Sequence, residues 1–288
     1  MRNTLLILIL AGLTTTPTWA RAKSVPLPEA TAPTLAGKTL TITRRGEKPS
    51  FVAATAGKAT FALLGVGAMV AEGNHIVREN NIADPADSVE AVLVPLLVKQ
   101  YGLTLTPATG HAITPGNDLK QITGAAPGVD LILDIRSVGW NFNYYPTHWG
   151  TYWVGYGVQV QLIDAKSGTV LSDMPCGANT LKNPAAPSKE ALLENGAQLL
   201  KDVLASESWQ CTRLLAKDQF HVVPENLPEM PAALNDPLAL FAAAHGAAPA
   251  QPATQALTPA TPPPSSDTPP SQPAPAEPAS APENSANH

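Results

Sequence analysis

Two stretches of the chain resemble nucleotide-binding loops, and each lacks a residue that the chemistry needs. "AGKAT" at residues 56–60 has Ala59 where a phosphate-binding loop has the Ser or Thr that binds magnesium, and the upstream glycine is missing. "GVG" at residues 65–67 lacks the third glycine of a dinucleotide-binding fingerprint. We therefore predict that the protein binds no nucleotide cofactor.

Other signatures of catalysis are also missing from the sequence. It contains no serine elbow, no His-Glu-x-x-His and no Cys-x-x-Cys motif. The histidines are scattered, with no pair at the spacing of metal ligands: His75, His111, His148, His221, His245 and His288. We predict no catalytic residues, no metal site and no enzymatic activity. The alternative is a hydrolase whose site is assembled only in space.

The two cysteines of the chain, Cys176 and Cys211, are expected to form a disulfide bond. An exported protein with two cysteines usually links them, because its compartment is oxidising. The bond would close a loop of about 35 residues and stabilise the fold by roughly 3–4 kcal/mol in the chain-entropy model. We predict a structural role, in which the bond holds the last helix against the sheet. Two inert buried thiols are the alternative.

Aromatic side chains are the clearest binding candidates. Residues 140–156, "WNFNYYPTHWGTYWVGY", contain eight of the 15 aromatic residues (5 Trp, 5 Tyr and 5 Phe) of the chain. Tyr152 and Tyr156 fall on the apolar face of an alternating strand, which predicts that they belong to the core. The others lie on or beside a predicted loop from Asn141 to Gly150, and Tyr and Trp suit half-exposed sites. The predicted partner-binding residues are Trp140, Tyr144, Tyr145, Trp149 and Trp153. A loop that only packs over the end of the sheet is the alternative.

The N-terminal residues 1–22 have the pattern of a secretory signal peptide. Arg2 precedes the apolar stretch "LLILILAGL", and small residues follow at Ala20 and Ala22. Because no cysteine stands near the cleavage site, we predict a periplasmic protein that is not lipidated. No later stretch approaches the roughly 18–20 apolar residues of a transmembrane helix. The run "FALLGVGAMVA" at 61–71 is predicted to be a buried helix, with contact to a membrane or partner as the alternative.

Composition predicts one globular domain at residues 23–242, followed by a disordered tail rich in Pro, Ala and Ser at 243–288. The tail has too few large apolar residues to offset the entropy of ordering. The formal net charge of the chain is −5. Arg44 and Arg45 are its only cluster of basic residues. A nucleic-acid partner is therefore excluded, since it would need a basic face.

The order of the predicted elements indicates an α+β (mixed α/β) fold. A first strand is predicted at residues 38–45, followed by a helix capped by Asp84 and ended by Gly102, with Pro95 as a kink. Alternation predicts a meander of three strands at residues 129–140, 152–162 and 169–174, and a long helix follows from 188 to 217. The expected fold is a mostly antiparallel sheet, including this meander, packed against two longer helices.

Three segments carry a resemblance to known proteins: "TAGKATF", "GNHIVRENNIADPADS" and "YYPTHWGTYWVGYGVQVQLIDAKSGTVLSDMPC". Over about residues 50–215 the chain resembles a family of uncharacterised exported proteins and lipoproteins of Gram-negative bacteria. It has a more distant architectural likeness to the periplasmic domains of outer-membrane assembly lipoproteins of the curli-secretion type. Many relatives carry a lipidated cysteine that this chain lacks.

From these features we predict a non-catalytic accessory protein of the cell envelope that binds a protein partner. A cell-wall or glycan-binding module that uses the aromatic hairpin is the alternative, beside the hydrolase already named.

Overall fold

The computed structural model describes residues 24–43, 45, 48–59, 62–108 and 119–246. The predicted signal peptide lies outside these residues, as does the predicted tail beyond residue 246. The helices and strands, in chain order, are β1 (Thr39–Ile42), β2 (Phe51–Ala54), α1 (Ala56–Ala59), α2 (Ala62–Glu79), α3 (Pro85–Tyr101), β3 (Thr104–Leu105), α4 (Leu119–Gly124), β4 (Leu131–Tyr145), β5 (His148–Asp164), β6 (Val170–Asn179), α5 (Lys189–Leu214), α6 (Ala232–Asn235) and α7 (Pro237–His245). Helix α7 thus runs past residue 242, where the globular domain was predicted to end.

The strands form one mixed six-stranded sheet in the order β3-β1-β4-β5-β6, with β2 also paired to β4. Strands β4, β5 and β6 form the antiparallel meander that alternation predicts. On the other edge of β4, β1 pairs in parallel with residues 131–133 and β2 pairs in parallel with residues 140–143. The meander is therefore confirmed, and the parallel strands beside it are an addition to the prediction.

Helices α3 and α5 pack against one face of the sheet and enclose the main core. Their buried side chains meet those of the central strands, among them Leu93, Leu97, Leu200, Leu133 and Val158. A smaller cluster on the other face joins α4 to the sheet through Ile122, Ile132 and Ile163. The predicted mixed α/β class is confirmed. The prediction of two longer helices misses α2, which has 18 residues, one more than α3.

Helix α3 begins and ends at the residues that its sequence predicts. The Asp84 side chain accepts a hydrogen bond from the Ala86 amide, and Gly102 ends the helix in the left-handed conformation with φ of 62°. A free amide at a helix start needs such an acceptor, and a left-handed residue favours glycine. Pro95 lies inside the helix, at an exposed position where its ring meets solvent instead of the core.

Helix α5 is interrupted, whereas the sequence predicts one continuous helix from residue 188. Residues 194–197 leave the helical conformation, with positive φ at Asn195 (53°), Gly196 (69°) and Ala197 (58°). Asn and Gly tolerate this region of backbone space most readily. Their pairing in the sequence is the physical reason for the break. The helical stretch after the break carries the buried residues that face the sheet.

Residues 62–71 of the predicted apolar run belong to α2, as predicted for a helix, and Phe61 lies outside the described residues. The run is not fully buried. Val66 is 55% exposed, and Gly67 and Ala68 are also exposed. The close contact of this helix with the sheet is made further along. A Cβ atom on Gly73 would stand 1.9 Å from the Phe51 carbonyl oxygen, so only glycine fits there.

The predicted disulfide bond is present between Cys176 on β6 and Cys211 on α5. Both cysteines are buried, at 6% and 0% exposure. The bond joins the outer strand of the meander to the helix that covers it. This confirms the predicted structural role.

Labelling of thiols should therefore find none in the protein unfolded without reductant, because both cysteines are bonded to each other. The measurement is mass spectrometry after alkylation in denaturant. Reduction before alkylation is the control and should add two labels per chain. Two labels without reduction would contradict the bond.

Candidate functional site

The aromatic segment is a long β-hairpin, so the predicted loop from Asn141 to Gly150 is wrong. Strand β4 continues to Tyr145 and β5 begins at His148, with only Pro146 and Thr147 in the turn. The pairing of β4 with β5 continues toward the turn, where Asn143 pairs with Trp153 and Tyr144 pairs with Tyr152. Cross-strand pairs with aromatic members stabilise such a ladder. The hairpin therefore brings its aromatic residues to one end of the sheet on two opposite faces.

One face of the hairpin contributes a chain of aromatic rings to the core. Trp140 and Phe142 each contact Phe51 of β2 edge to face, with ring centroids 5.4 and 5.7 Å apart. Phe142 contacts Tyr152 in the same way at 5.4 Å. Tyr156 is buried beyond them at 3% exposure. The prediction that Tyr152 and Tyr156 are core residues is confirmed.

Trp140 is a correction to the predicted partner-binding set. It is only 2% exposed, and its indole N–H donates a hydrogen bond of 2.7 Å to the Pro49 carbonyl. It pairs with Tyr156 across the hairpin, and paired residues share a face of the sheet. A side chain in this position packs the core and presents no surface to a partner.

Tyr144, Tyr145 and Trp153 are half-buried supports of the hairpin. The Tyr145 hydroxyl donates to the Leu181 carbonyl at 3.0 Å, and burial raises the pKa of Tyr145. Trp153 lies beside Gly155, where an added Cβ would stand 2.9 Å from the indole ring. Tyr144 packs against the edge of the core. Each ring is fixed by a neighbour and offers only part of its surface.

Trp149 is the predicted binding residue that the structure leaves open. It is 67% exposed. Its indole N–H donates to the Pro146 carbonyl at 2.8 Å, which holds the ring against the turn. Leu181, whose carbonyl accepts a hydrogen bond from the Tyr145 hydroxyl, lies at the same end of the sheet, and its side chain is 47% exposed. We call the exposed residues 146–150 together with Leu181 the tip surface.

Charged groups tie the helices together close to this end of the molecule. Glu72 of α2 forms ion pairs with both Lys58 and Lys189. Lys189 starts α5 two residues after Pro187. The Pro187 carbonyl accepts a hydrogen bond of 2.9 Å from the Tyr152 amide. Burial, followed by the charge of Lys189, lowers the pKa of Lys58. This arrangement anchors α2 and α5 beside the base of the hairpin tip.

A cleft that sequence patterns do not predict lies beside β4, along the stretch between its pairing with β1 and its pairing with β2. The cleft has a volume of about 710 Å³. It is lined by charges of both signs: Arg45, Lys48, Arg136, Asp84, Asp87 and Glu90. Strand alternation places Arg136 on a polar face, but the cleft forms only because β1 ends before β2 begins.

Asp134 underlies this cleft as a fully buried carboxylate with 0% exposure. It forms an ion pair with Arg45 and accepts a hydrogen bond of 2.5 Å from the Thr43 hydroxyl. A buried charge is stable only when paired in this way. The group therefore ties the chain after β1 to β4.

In the residues that the structure describes, no group of three or more His, Cys, Asp or Glu side chains could hold a metal ion. Of the helices in the described part of the chain, none has the length and apolar character needed to cross a membrane.

Three solved structures that are similar to this chain are distant from it in sequence. A PelC L103M dodecamer from Paraburkholderia phytofirmans has 14% identity and a TM-score of 0.28, over 68% of this chain and 94% of that one. Lipoprotein GNA1162 from Neisseria meningitidis has 12% identity and a TM-score of 0.20, over 49% of this chain and 82% of that one. The LpoB C-terminal domain from Escherichia coli has 15% identity and a TM-score of 0.17, over 50% of this chain and 84% of that one.

A lipoprotein is thus among the structures that this chain resembles. These likenesses assign no partner, substrate or activity to it. No protein-family model matches the chain, and no curated protein matches it in sequence. The resemblance to a family of exported proteins and lipoproteins stays a prediction.

Proposed function

We propose that this protein is a non-catalytic accessory protein of the cell envelope, which holds a protein partner through its tip surface. The observation that carries the proposal is the exposed and fixed ring of Trp149. Tryptophan is among the residues that contribute most to protein interfaces, because a large apolar area leaves water on binding. The proposed partner offers an apolar pocket with room for an indole.

The geometry around Trp149 favours binding by a prepared side chain. Its hydrogen bond to the Pro146 carbonyl restricts the ring before a partner arrives. Immobilising a free side chain at an interface costs about 0.5–1.5 kcal/mol, and a ring that is already held avoids part of this. The hairpin beneath it is tied to the segment after β6 by Tyr145. The tip surface is therefore a rigid platform.

The disulfide bond supports the proposed location. Cys176 and Cys211 form a buried structural bond, and such bonds persist in oxidising compartments such as the bacterial periplasm. The predicted signal peptide points the same way. Export as a periplasmic protein without a lipid anchor is part of the proposal.

A photo-crosslinking amino acid at position 149 in intact cells tests the function. We expect one dominant adduct with a protein. Position 166, in the exposed turn after β5, is the matched control and should not give that adduct. Trp149→Ala should lower capture of the identified partner tenfold or more, as loss of an aromatic anchor does.

Two controls separate binding from folding. Trp149→Ala should change the free energy of unfolding by less than about 1 kcal/mol, because the side chain is largely exposed. Lys166→Ala, in the exposed turn after β5 and outside the tip surface, should leave capture unchanged. Undiminished capture by the Trp149 variant would remove the tip surface from the interface. Loss of binding to isolated cell-wall glycan instead would favour the glycan-binding alternative.

A further inference from the structure

Glu207 is a buried carboxyl group without a partner. The residue lies on α5 and is 1% exposed. Neither of its carboxyl oxygens has a hydrogen-bond partner among the described residues. A buried polar group in this state is destabilising unless something satisfies it. The proposed partner-binding role of the tip surface makes no use of this residue.

Glu207 lines a cavity of about 180 Å³. The wall from α5 consists of Val203, Ser206, Glu207 and Gln210, which have the spacing of one helix face. The other walls come from the segment after β6 and from the junction of α6 and α7, at residues 179–183 and 235–238. Three separate parts of the chain therefore converge around Glu207.

The walls of this cavity are built from polar groups that are already held in place. The Asn183 amide donates to Asp236 at 3.1 Å, and the Thr180 hydroxyl accepts from the Val154 amide at 2.9 Å. The Asp236 carboxylate also caps α7. Because these groups form hydrogen bonds within the protein, they fix the shape of the cavity. The Glu207 carboxyl group has no such bond and is therefore the group for a bound molecule to pair with.

We propose that this cavity binds a small molecule that carries a primary ammonium group, with the Glu207 carboxylate as its counter-ion. An ammonium group supplies both a positive charge and three N–H donors. The volume of about 180 Å³ is below the roughly 300–1,000 Å³ of sites for drug-sized ligands. The ligand is therefore a compact amine of a few heavy atoms.

The charges around Glu207 agree with a cationic ligand. Asp236 and Lys182 line the same cavity, and Lys182 is exposed. Glu207 and Asp236 are the two carboxyl groups of the lining and Lys182 is its one ammonium group, so the balance of charge in the lining favours a cation.

The test uses the full chain with ethanolamine as the probe and ethylene glycol as its neutral counterpart of similar size. Calorimetry and thermal unfolding near neutral pH, at constant ionic strength, measure binding. Ethanolamine should bind with one site per chain and raise the melting temperature. Ethylene glycol at the same concentration should do neither.

Two variants locate the binding. Glu207→Gln keeps the shape of the side chain and removes the charge, so affinity for ethanolamine should fall at least tenfold. Gln210→Lys places an ammonium group at an exposed position on the same cavity wall and should also weaken binding tenfold or more, without disturbing the core. The proposal is overturned if ethanolamine does not bind, if ethylene glycol binds equally well, or if both variants bind ethanolamine as the parent does.

Discussion

Replacing Trp140 with alanine is expected to lower the free energy of unfolding by about 3–5 kcal/mol, as truncation of a buried tryptophan does. The side chain is 2% exposed and contacts Phe51 edge to face. Its removal leaves a cavity between β2 and β4. It also removes the hydrogen bond that the indole N–H donates to the Pro49 carbonyl. Both effects act in the same direction. Urea unfolding followed by circular dichroism measures the change.

Trp149→Ala is the matched control for this prediction, since it applies the same truncation on the same hairpin. Trp149 is 67% exposed, so its loss should change stability by less than about 1 kcal/mol. Trp140→Phe should fall between the two, because it retains a ring against Phe51 and loses the hydrogen bond. Equal effects of the two alanine variants would contradict the division of the hairpin into a core face and a tip surface.

The burial of Trp140 shows what strand alternation alone leaves open. Alternation along β5 places Tyr152 and Tyr156 on the apolar face. Trp140 shares that face only because it pairs with Tyr156. The pairing depends on the turn at residues 146–147 and on irregularities in the ladder, one of them between Ser137 and Gly139. Register of this kind is set by turn geometry and packing, which local residue patterns do not encode.

Features fixed by neighbouring residues were predictable from the sequence. Asp84 and Gly102 mark the ends of α3 because capping acts within one turn of the helix. The meander follows from alternation within each strand. The strand β2, by contrast, has only the four residues Phe51–Ala54, and its partner on β4 lies about 90 residues further along the chain. Its pairing is a property of the assembled sheet.

Sequence patterns do not predict the cleft beside β4 or the cavity at Glu207, for a similar reason. The cleft beside Asp134 forms where β1 and β2 leave part of the edge of β4 open. The cavity at Glu207 needs α5, the segment after β6 and the junction of α6 with α7 to come together. Glu207 stands between two serines and gives a weak signal, because helical spacing shows only which face of α5 it occupies. Its burial is evident from packing alone.

Glu207→Gln is expected to flatten the fall in stability that the protein shows as the pH rises from about 5 to 8. Burial raises the pKa of Glu207 well above its ordinary value, whereas in the unfolded chain the group titrates near 4.3. Between these two pKa values the folded state holds a proton that the unfolded state has lost. Stability therefore decreases with rising pH, by up to about 1.4 kcal/mol per pH unit, until the pH passes the folded pKa.

An amide at position 207 has no proton to lose, so this contribution is absent from the variant. Urea unfolding of both proteins at several pH values, without added amine, gives the two slopes. Asp87 has a pKa raised by burial and by Asp84, and its contribution has the same sign. It is present in both proteins, so it cancels in the difference between the slopes.

Glu190→Gln is the matched control on the same helix. Its carboxylate is exposed, and hydrogen bonds at the helix start lower its pKa. That shift contributes stability which is lost only as the pH falls below the ordinary range of a glutamate. The slope between about pH 5 and 8 should therefore match that of the parent. Parallel curves for the parent and Glu207→Gln would mean that Glu207 is ionised in the folded protein, with its charge satisfied by a partner. A steeper fall in the parent than in Glu207→Gln would establish that the folded protein holds this carboxyl group protonated over the pH range in which the unfolded chain has lost the proton.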